Sequence, residues 1–285
     1  MSDFDFKHNN EDIETHLFIE AIKMKYGYNF SEYSRAHIKR RIKNRLMKSG
    51  FSNILELTHS VLEDEVFFRE MVLDFSINVT EMFRDPSFFK YIRESILPVL
   101  ESYPQIKIWH AGCSSGEEVY SMAILLKECG LYDRCQIYAT DFNDKIIERA
   151  KDGIYSLESI KEYTKNYILS GGVNSFSDYY IAKYDNAILN NELKNKITFA
   201  QHNLVTDGSF GEMNLIICRN VLIYFDRELQ NRANRLFMES LIKGGYLCLG
   251  SKETLIYSDV MEQFETISDE FKVYRKRMKV KGGSL

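Results

Sequence analysis

From Ile13 to about Lys90 the apolar residues recur at helical spacing, in the sets Leu17-Ile19-Ile22, Ile38-Ile42-Leu46, Ile54-Leu57-Val61 and Phe67-Met71-Phe75. No run of alternating β-branched residues interrupts them, so the stretch predicts several short helices with one apolar face each. The segment from Ser76 to Pro86 breaks the pattern and ends in Asp85-Pro86, which suits the start of another helix. A domain junction or shared linker is expected there.

After Pro104 short apolar runs alternate with helical stretches. Candidate strands are Lys107-Ala111, Gln136-Thr140, Ile197-His202, Leu215-Cys218, Tyr246-Gly250, Phe264-Ile267 and Phe271-Arg275, with helices near Glu118-Cys129, Asp144-Lys151 and Asp226-Lys243. Strands separated by helices indicate right-handed βαβ units and a parallel sheet covered on both faces. The last two candidates are separated only by Ser268-Asp269-Glu270 and read as a closing hairpin with one antiparallel strand. Between Tyr155 and Lys196 the alternation lapses into a polar stretch rich in Tyr and Asn that contains Gly171-Gly172. It reads as an insertion, with a small hairpin subdomain around Asp178-Lys183.

The composition adds bounds. The chain has 285 residues, of which 45% are hydrophobic and 27% charged, with only 3 Pro and 15 Gly, and this excludes collagenous, low-complexity and wholly disordered classes. The length suits one large domain and a small one. The start, MSDFDFKHNNED, lacks the marks of a secretory leader, and no run of about 18 apolar residues suggests a membrane span, so a cytoplasmic protein is expected. Five cysteines form no Cys-x-x-Cys pair and lie in or beside apolar runs, so buried free thiols are expected, with no metal.

In an open parallel sheet the ligand sits beyond the carboxyl ends of the strands. The first such turn is Ala111-Gly112-Cys113-Ser114-Ser115-Gly116-Glu117. Its glycines let the backbone approach a ligand, and free amides at the following helix start can donate to it. The second strand ends at Asp141, which either accepts two hydrogen bonds from a ribose diol or caps the helix near Asn143. At the third strand end, the amide of Asn203 could read an adenine edge. The fourth ends in Cys218-Arg219-Asn220-Val221-Leu222-Ile223-Tyr224-Phe225-Asp226, where a buried Arg-Asn pair needs a ligand or partner groups, or else braces the loop.

Together the segments Asn78-Val79-Thr80-Glu81-Met82-Phe83-Arg84-Asp85, Ala-Gly-Cys-Ser-Ser-Gly-Glu-Glu from Ala111, Ala139-Thr140-Asp141 and Cys-Arg-Asn-Val-Leu-Ile-Tyr-Phe-Asp from Cys218 resemble the chemotaxis receptor methyltransferases, the CheR family. The resemblance runs from about Tyr26 to Arg275. It implies an α/β fold: a small all-helical N-terminal domain (1–76), a linker (77–90) closing over the cofactor, and a Rossmann-like, class I S-adenosylmethionine-dependent methyltransferase domain (91–285) carrying a small inserted β-subdomain (about 155–196). It implies methylation of glutamate side chains on chemoreceptors, with S-adenosyl-L-homocysteine as product. Asn78, Thr80, Arg84, Glu117, Asp141, Asn203, Leu204, Asn220 and Val221 would contact the cofactor, joined on the strand-end reading by Gly112 and Arg219. Met82 stands where the family usually has a second Phe, and the Gly171-Gly172 region is not clearly the glycine-extended loop of members that dock on a receptor's C-terminal pentapeptide.

Methyl transfer from a sulfonium to a carboxylate is an in-line displacement that needs no general base, because a glutamate of pKa about 4.3 is already ionised at neutral pH. The site must position and desolvate, and Arg84 and Tyr224 are assigned to orienting the carboxylate as catalytic residues.

The net charge of −4 looks uninformative until it is resolved along the chain. Between Arg35 and Lys48 stand seven cations, Arg35, Lys39, Arg40, Arg41, Lys43, Arg45 and Lys48, and no acid, so the remainder carries −11. Ile38, Ile42 and Leu46 would bury one face and leave Arg41, Arg45 and Lys48 on an exposed one. Such a helix complements the glutamate-bearing cytoplasmic helices of chemoreceptors, and Arg35, Lys39, Arg41, Arg45 and Lys48 are assigned to substrate binding. Nucleic acid is disfavoured by the acidic remainder, direct membrane insertion is not expected, and a monomer is. The competing reading is a non-catalytic regulatory module that senses S-adenosylmethionine or S-adenosylhomocysteine.

Overall fold

A computed structural model describes residues 10–28, 30, 35–75 and 80–278. The chain divides into two units: one of residues 1–77 with 223–230, the other of 78–222 with 231–285.

The first unit is built from helices α1 (Asn10–Tyr26), α2 (Arg35–Ser49), α3 (Ile54–Glu63) and α4 (Glu65–Phe75). Helix α3 starts where Asn53 Oδ1 accepts the Glu56 N–H at 2.9 Å while Glu56 Oε2 takes the Ser52 N–H at 2.8 Å, a reciprocal pairing that satisfies donors the helix start leaves open. Its buried face is the expected Ile54, Leu57 and Val61. On α1 the buried set is Thr15, Phe18 and Ile22, and Leu17 is exposed. On α4 Phe68, Met71 and Val72 are buried rather than Phe67, and the side chain of Phe75 lies outside the described residues. Ile22 and Met71 are buried as expected, while Phe18 and Phe68 take the places expected of Leu17 and Phe67. Tyr26 stacks on Phe68 with ring centres 3.6 Å apart and donates its hydroxyl to the Val61 carbonyl at 2.7 Å. Residues 223–230 join this unit because Tyr28 pairs with Phe225 in a single β-bridge and Asp226 N–H donates to the Gly27 carbonyl at 3.2 Å. Linear boundaries at 76 and 91 gave no hint of that association.

The second unit opens with α5 (Pro86–Tyr91), a π-helical turn at Ile92–Ile96 and α6 (Leu97–Leu100). There follow β1 (Ile106–Ala111), α7 (Glu117–Glu128), β2 (Cys135–Asp141), α8 (Asp144–Asp152), β3 (Ile154–Ser156), α9 (Leu157–Leu169), β4 (Tyr180–Lys183), β5 (Asn186–Leu189), β6 (Ile197–Gln201), β7 (Met213–Cys218), α10 (Arg227–Ser240), β8 (Leu241–Leu249), β9 (Phe264–Ser268) and β10 (Val273–Lys276). The main sheet has the order β6-β2-β1-β7-β8-β10-β9. Its first five strands are mutually parallel, and β10 runs antiparallel between β8 and β9. Every residue of β7 is buried, as a central parallel strand with both faces covered requires. Trp109 of β1 is fully buried and donates its indole N–H to Thr140 Oγ1 at 2.8 Å, so the polar atom of the largest core side chain is satisfied. The helix expected over Asp226-Lys243 stops at Ser240, because Leu241 already belongs to β8.

The insertion is more ordered than its polar sequence suggested. A second sheet, β3-β5-β4, is antiparallel throughout, and α9 precedes its hairpin. Tyr167 and Tyr179 of this subdomain donate their hydroxyls to Glu128 at the end of α7, which also pairs with Arg93. A Cβ on Gly172 would fall 2.2 Å from the Tyr167 ring, so the glycine is fixed by packing rather than by loop mobility.

Candidate cofactor and catalytic site

The candidate site is built from the turns that follow the parallel strands and from the residues of the linker. After β1 the chain turns through three residues of positive φ, Gly112 at +82°, Ser114 at +49° and Gly116 at +92°. A Cβ at Gly112 would lie 2.4 Å from Val221 Cγ2, so only glycine lets the turn after β7 close onto the turn after β1. Both Gly112 and Cys113 donate their N–H groups to the Thr140 carbonyl at 2.8 Å, which locks the first turn to the end of β2.

Glu117 opens α7 and is buried. Ser115 donates its hydroxyl to this carboxylate, and burial pushes the Glu117 pKa up to about 7 against the pull of Ser115, Arg149 and Tyr163. Asp141 is also buried. Its Oδ2 accepts the Ser114 N–H at 2.9 Å and its Oδ1 the Asn143 N–H at 3.1 Å, while burial, its largest influence, raises its pKa. The helix cap belongs to Asn143, whose Oδ1 accepts from Lys145 and Ile146. The capping alternative for Asp141 therefore falls away: its carboxylate joins the first and second turns.

At the end of β6 Asn203 forms a local turn, its Oδ1 accepting the Val205 N–H at 2.9 Å and its own N–H donating to Asp207 Oδ2. That engages the acceptor expected to read an adenine edge. Leu204 beside it is buried.

The turn after β7 holds Asn220 at φ +61°, a left-handed conformation that Asn tolerates better than most residues. Arg219 is buried. Its guanidinium pairs with Asp85, donates to Glu118 Oε2 at 3.2 Å and lies 4.1 Å from the centre of the Phe88 ring. Of the two readings offered for the Arg-Asn pair, the bracing one describes the contacts of Arg219. Glu118 in turn meets His110 Nδ1 at 3.1 Å. Burial would lift the Glu118 pKa, but His110 and Arg219 outweigh it and hold the carboxyl below its ordinary value.

Of the linker, Asn78 lies outside the described residues, while Thr80 and Arg84 are half-buried. Phe83 takes φ +53° and donates its N–H to Ser121 Oγ at 2.8 Å, and Ser121 donates onward to the Glu117 carbonyl. Asn166 from α9 donates to the Met82 carbonyl at 3.3 Å. Asp85, at φ +56°, is held by Arg219. The stretch that carries Arg84 is thus fastened on both sides, and Met82 and Phe83 are fully buried.

Tyr224 ends the 3₁₀ turn Leu222–Tyr224 and belongs to the segment grouped with the helical unit. On α2, Arg35 and Lys48 are exposed. Lys39 pairs with Asp12 at 2.7 Å and Glu11 at 3.5 Å, and Arg41 is half-buried. Arg45 departs from expectation: it is buried, pairs with Glu70 at 3.2 Å and lies over the Phe67 ring at 4.3 Å. The buried face of α2 is Ile38-Ile42-Arg45, with Leu46 half-buried, because an aromatic ring and a carboxylate on α4 make a long guanidinium a suitable packing partner.

Sequence reasoning missed Glu118, Ser121, Asn166 and Glu253. Glu253 was reachable by the rule already applied, since it follows the end of β8 by four positions.

A sheet of this order, with one antiparallel strand between β8 and β9 and buried acids at its first two turns, is that of a class I methyltransferase. The chain belongs to the CheR methyltransferase family. Residues 78–272 match its S-adenosylmethionine-binding domain and residues 13–76 its all-alpha domain. It is 49% identical over 267 residues to the Pseudomonas putida protein named "Putative methyltransferase Cher3", covering 94% of this chain and 98% of that one. It is 32% identical to a chemotaxis protein methyltransferase of Borreliella burgdorferi, covering 85% and 88%, and 31% identical to one of Listeria monocytogenes, covering 84% and 89%. The protein is an S-adenosylmethionine-dependent methyltransferase. Its residues fit that cofactor: a turn without a Cβ at Gly112, and two buried carboxylates hydrogen-bonded by a hydroxyl and backbone N–H groups, suit a ligand bearing hydroxyls and an ammonium.

Proposed function

We propose that this protein methylates glutamate side chains of chemoreceptors, forming methyl esters. The observation that carries the reading is the fastening of the linker: Phe83, Met82 and Asp85 are each tied to the catalytic unit around Arg84, a cation suited to a substrate carboxylate. The names of the Borreliella and Listeria relatives support the same substrate class.

Asp141 would accept the ribose hydroxyls, Glu117 the methionine ammonium, and Gly112, Leu204, Asn220 and Val221 would line the adenosine, with Asn78, Thr80 and Asn203 completing the set. When bound, the cofactor supplies an activated methyl group on a sulfonium. Arg84 and Tyr224 each donate to one carboxylate oxygen of the substrate and leave the other free to attack, with Arg84 also supplying charge. Neither removes a proton, since the acceptor arrives ionised. Proximity and alignment account for about 7–11 kcal/mol of barrier lowering in well-oriented reactions.

The exposed cations of α2 are the docking surface for acidic receptor helices. Receptor methylation regions lie in the cytoplasm, and among the described residues no helix is long and apolar enough to cross a membrane. The decisive experiment is mass spectrometry of receptor fragments incubated with enzyme and S-adenosylmethionine. Base-labile methyl esters on specific glutamates are expected. Tight S-adenosylhomocysteine binding without any methyl transfer would instead identify a sensor module.

A further inference from the structure

The loop after β8 carries a carboxylate with an unusual set of partners. Glu253 is 5% exposed, and its two oxygens accept four backbone N–H groups. Oε1 takes those of Val221 at 2.8 Å and Leu222 at 2.7 Å, while Oε2 takes those of Asn220 at 3.1 Å and Gly250 at 2.5 Å. Three of the four donors are consecutive residues of the turn after β7.

Asn220 sits at φ +61°, and the N–H groups of three successive residues, Asn220, Val221 and Leu222, converge on the one Glu253 carboxylate. An anion is the natural acceptor for such a convergence. The fit is close: a Cβ at Gly250 would lie 2.7 Å from Glu253 Oε2 and 2.9 Å from the Asn220 nitrogen, so the glycine makes room for the carboxylate. Burial raises the Glu253 pKa while the four N–H groups oppose it. On the far side of the turn Val221 presses on Gly112, so the position of Glu253 is passed to the first cofactor turn as well.

We infer that Glu253 is a positioning residue for methyl transfer. It touches neither cofactor nor substrate; its carboxylate fixes Asn220 and Val221 in the conformation in which they line the cofactor. The inference rests on the assignment of Asn220 and Val221 to the cofactor site made above.

The test compares Glu253→Gln with Asn220→Ala by calorimetry with S-adenosylhomocysteine and by hydrogen exchange at residues 220–222. Glutamine keeps the volume but turns an amide group towards two of the donors. Cofactor affinity is expected to fall about tenfold or more, KM for S-adenosylmethionine to rise more than kcat falls, and the amides of Asn220, Val221 and Leu222 to exchange faster. Should Glu253→Gln fail to fold by circular dichroism, Glu253→Asp, which keeps both oxygens on a stem one methylene shorter, carries the same test. A folded Glu253 variant with wild-type affinity, even one with a lowered Tm, overturns the positioning role. If Asn220→Ala weakens binding and Glu253→Gln does not, only the positioning role falls. If neither does, the turn is not a cofactor turn and both assignments fall together.

Discussion

Ser115 Oγ lies 2.7 Å from Glu117 Oε2 and 3.0 Å from Oε1, a hydroxyl serving a carboxylate that burial raises to a pKa of about 7. The folded pKa lies above the unfolded value of about 4.3, so the folded state holds an extra proton between the two. The associated stability is fully present below the unfolded pKa and is lost as pH rises through about 7. Glu117→Gln, neutral at every pH, should therefore melt higher than wild type at pH 8, with the difference shrinking towards pH 5. A difference that grows on acidification would contradict the raised pKa. Cofactor affinity should run the other way. An ammonium requires the ionised carboxylate, so affinity of the wild type falls by up to about tenfold per pH unit below the Glu117 pKa, and calorimetry on Glu117→Gln should find that slope gone.

Arg219 is the buried cation of a chain that runs from buried His110 through Glu118 to the exposed Asp85. Replacing it by Ala leaves the Glu118 carboxylate without its guanidinium partner and removes the ring contact with Phe88. Loss of one partner of a buried pair costs about 3–5 kcal/mol, which urea denaturation at pH 7 can read. Arg219→Lys should fall between, since an ammonium keeps the charge but cannot serve Asp85, Glu118 and the Phe88 face together. A cost below about 1 kcal/mol for the Ala variant would mean that the network does not brace the turn.

The parts of the fold that were legible and those that were not differ in physical kind. Strand positions were read to within one or two residues in β1, β2 and β7, because strands covered on both faces carry apolar residues at most of their positions. Helix α9 was missed because its buried face is Ile160, Tyr163, Asn166 and Tyr167, residues whose polarity hides the period. The turns proposed to face the ligand carry glycines and acids at strand ends, which the sequence displays. Two of their supports were not legible: Ser121 and Asn166 act on backbone groups distant in the chain, and a backbone N–H or carbonyl leaves no mark on the sequence. Arg45 illustrates the opposite limit, where a charged residue in a basic run was taken for surface and is part of the core.

That burial changes how the basic helix should be tested. Reversing Arg45 to Glu places an acid beside Glu70 and beneath the Phe67 ring, so a lowered Tm is expected whether or not α2 meets a receptor. Arg35 and Arg40 are exposed and make the cleaner pair. The double variant Arg35→Glu with Arg40→Glu should keep its Tm and lose kcat/KM towards receptor fragments at low salt. The loss should fade as salt rises, because interactions between exposed charges are screened beyond about 10 Å at 0.1 M ionic strength. Equal rates of wild type and variant at low salt would remove α2 from receptor docking.

Tyr224 offers the most direct probe of the chemistry. Its proposed task is to donate one hydrogen bond to the acceptor carboxylate, which orients the attacking oxygen without taking a proton. Tyr224→Phe deletes only that hydroxyl. A hydrogen bond to a charged group is worth about 1.5–3 kcal/mol, so kcat with a receptor fragment should drop by about tenfold to a hundredfold while S-adenosylhomocysteine affinity stays within about twofold of wild type. Asp141→Ala should give the reverse pattern, since that carboxylate is tied to Ser114 and Asn143 at the proposed ribose position. Its cofactor affinity should fall, with kcat at saturating cofactor much less affected. If Tyr224→Phe loses cofactor affinity instead of rate, the tyrosine supports the cofactor rather than the carboxylate. An unchanged kcat and affinity would remove it from the mechanism and leave Arg84 alone to orient the substrate.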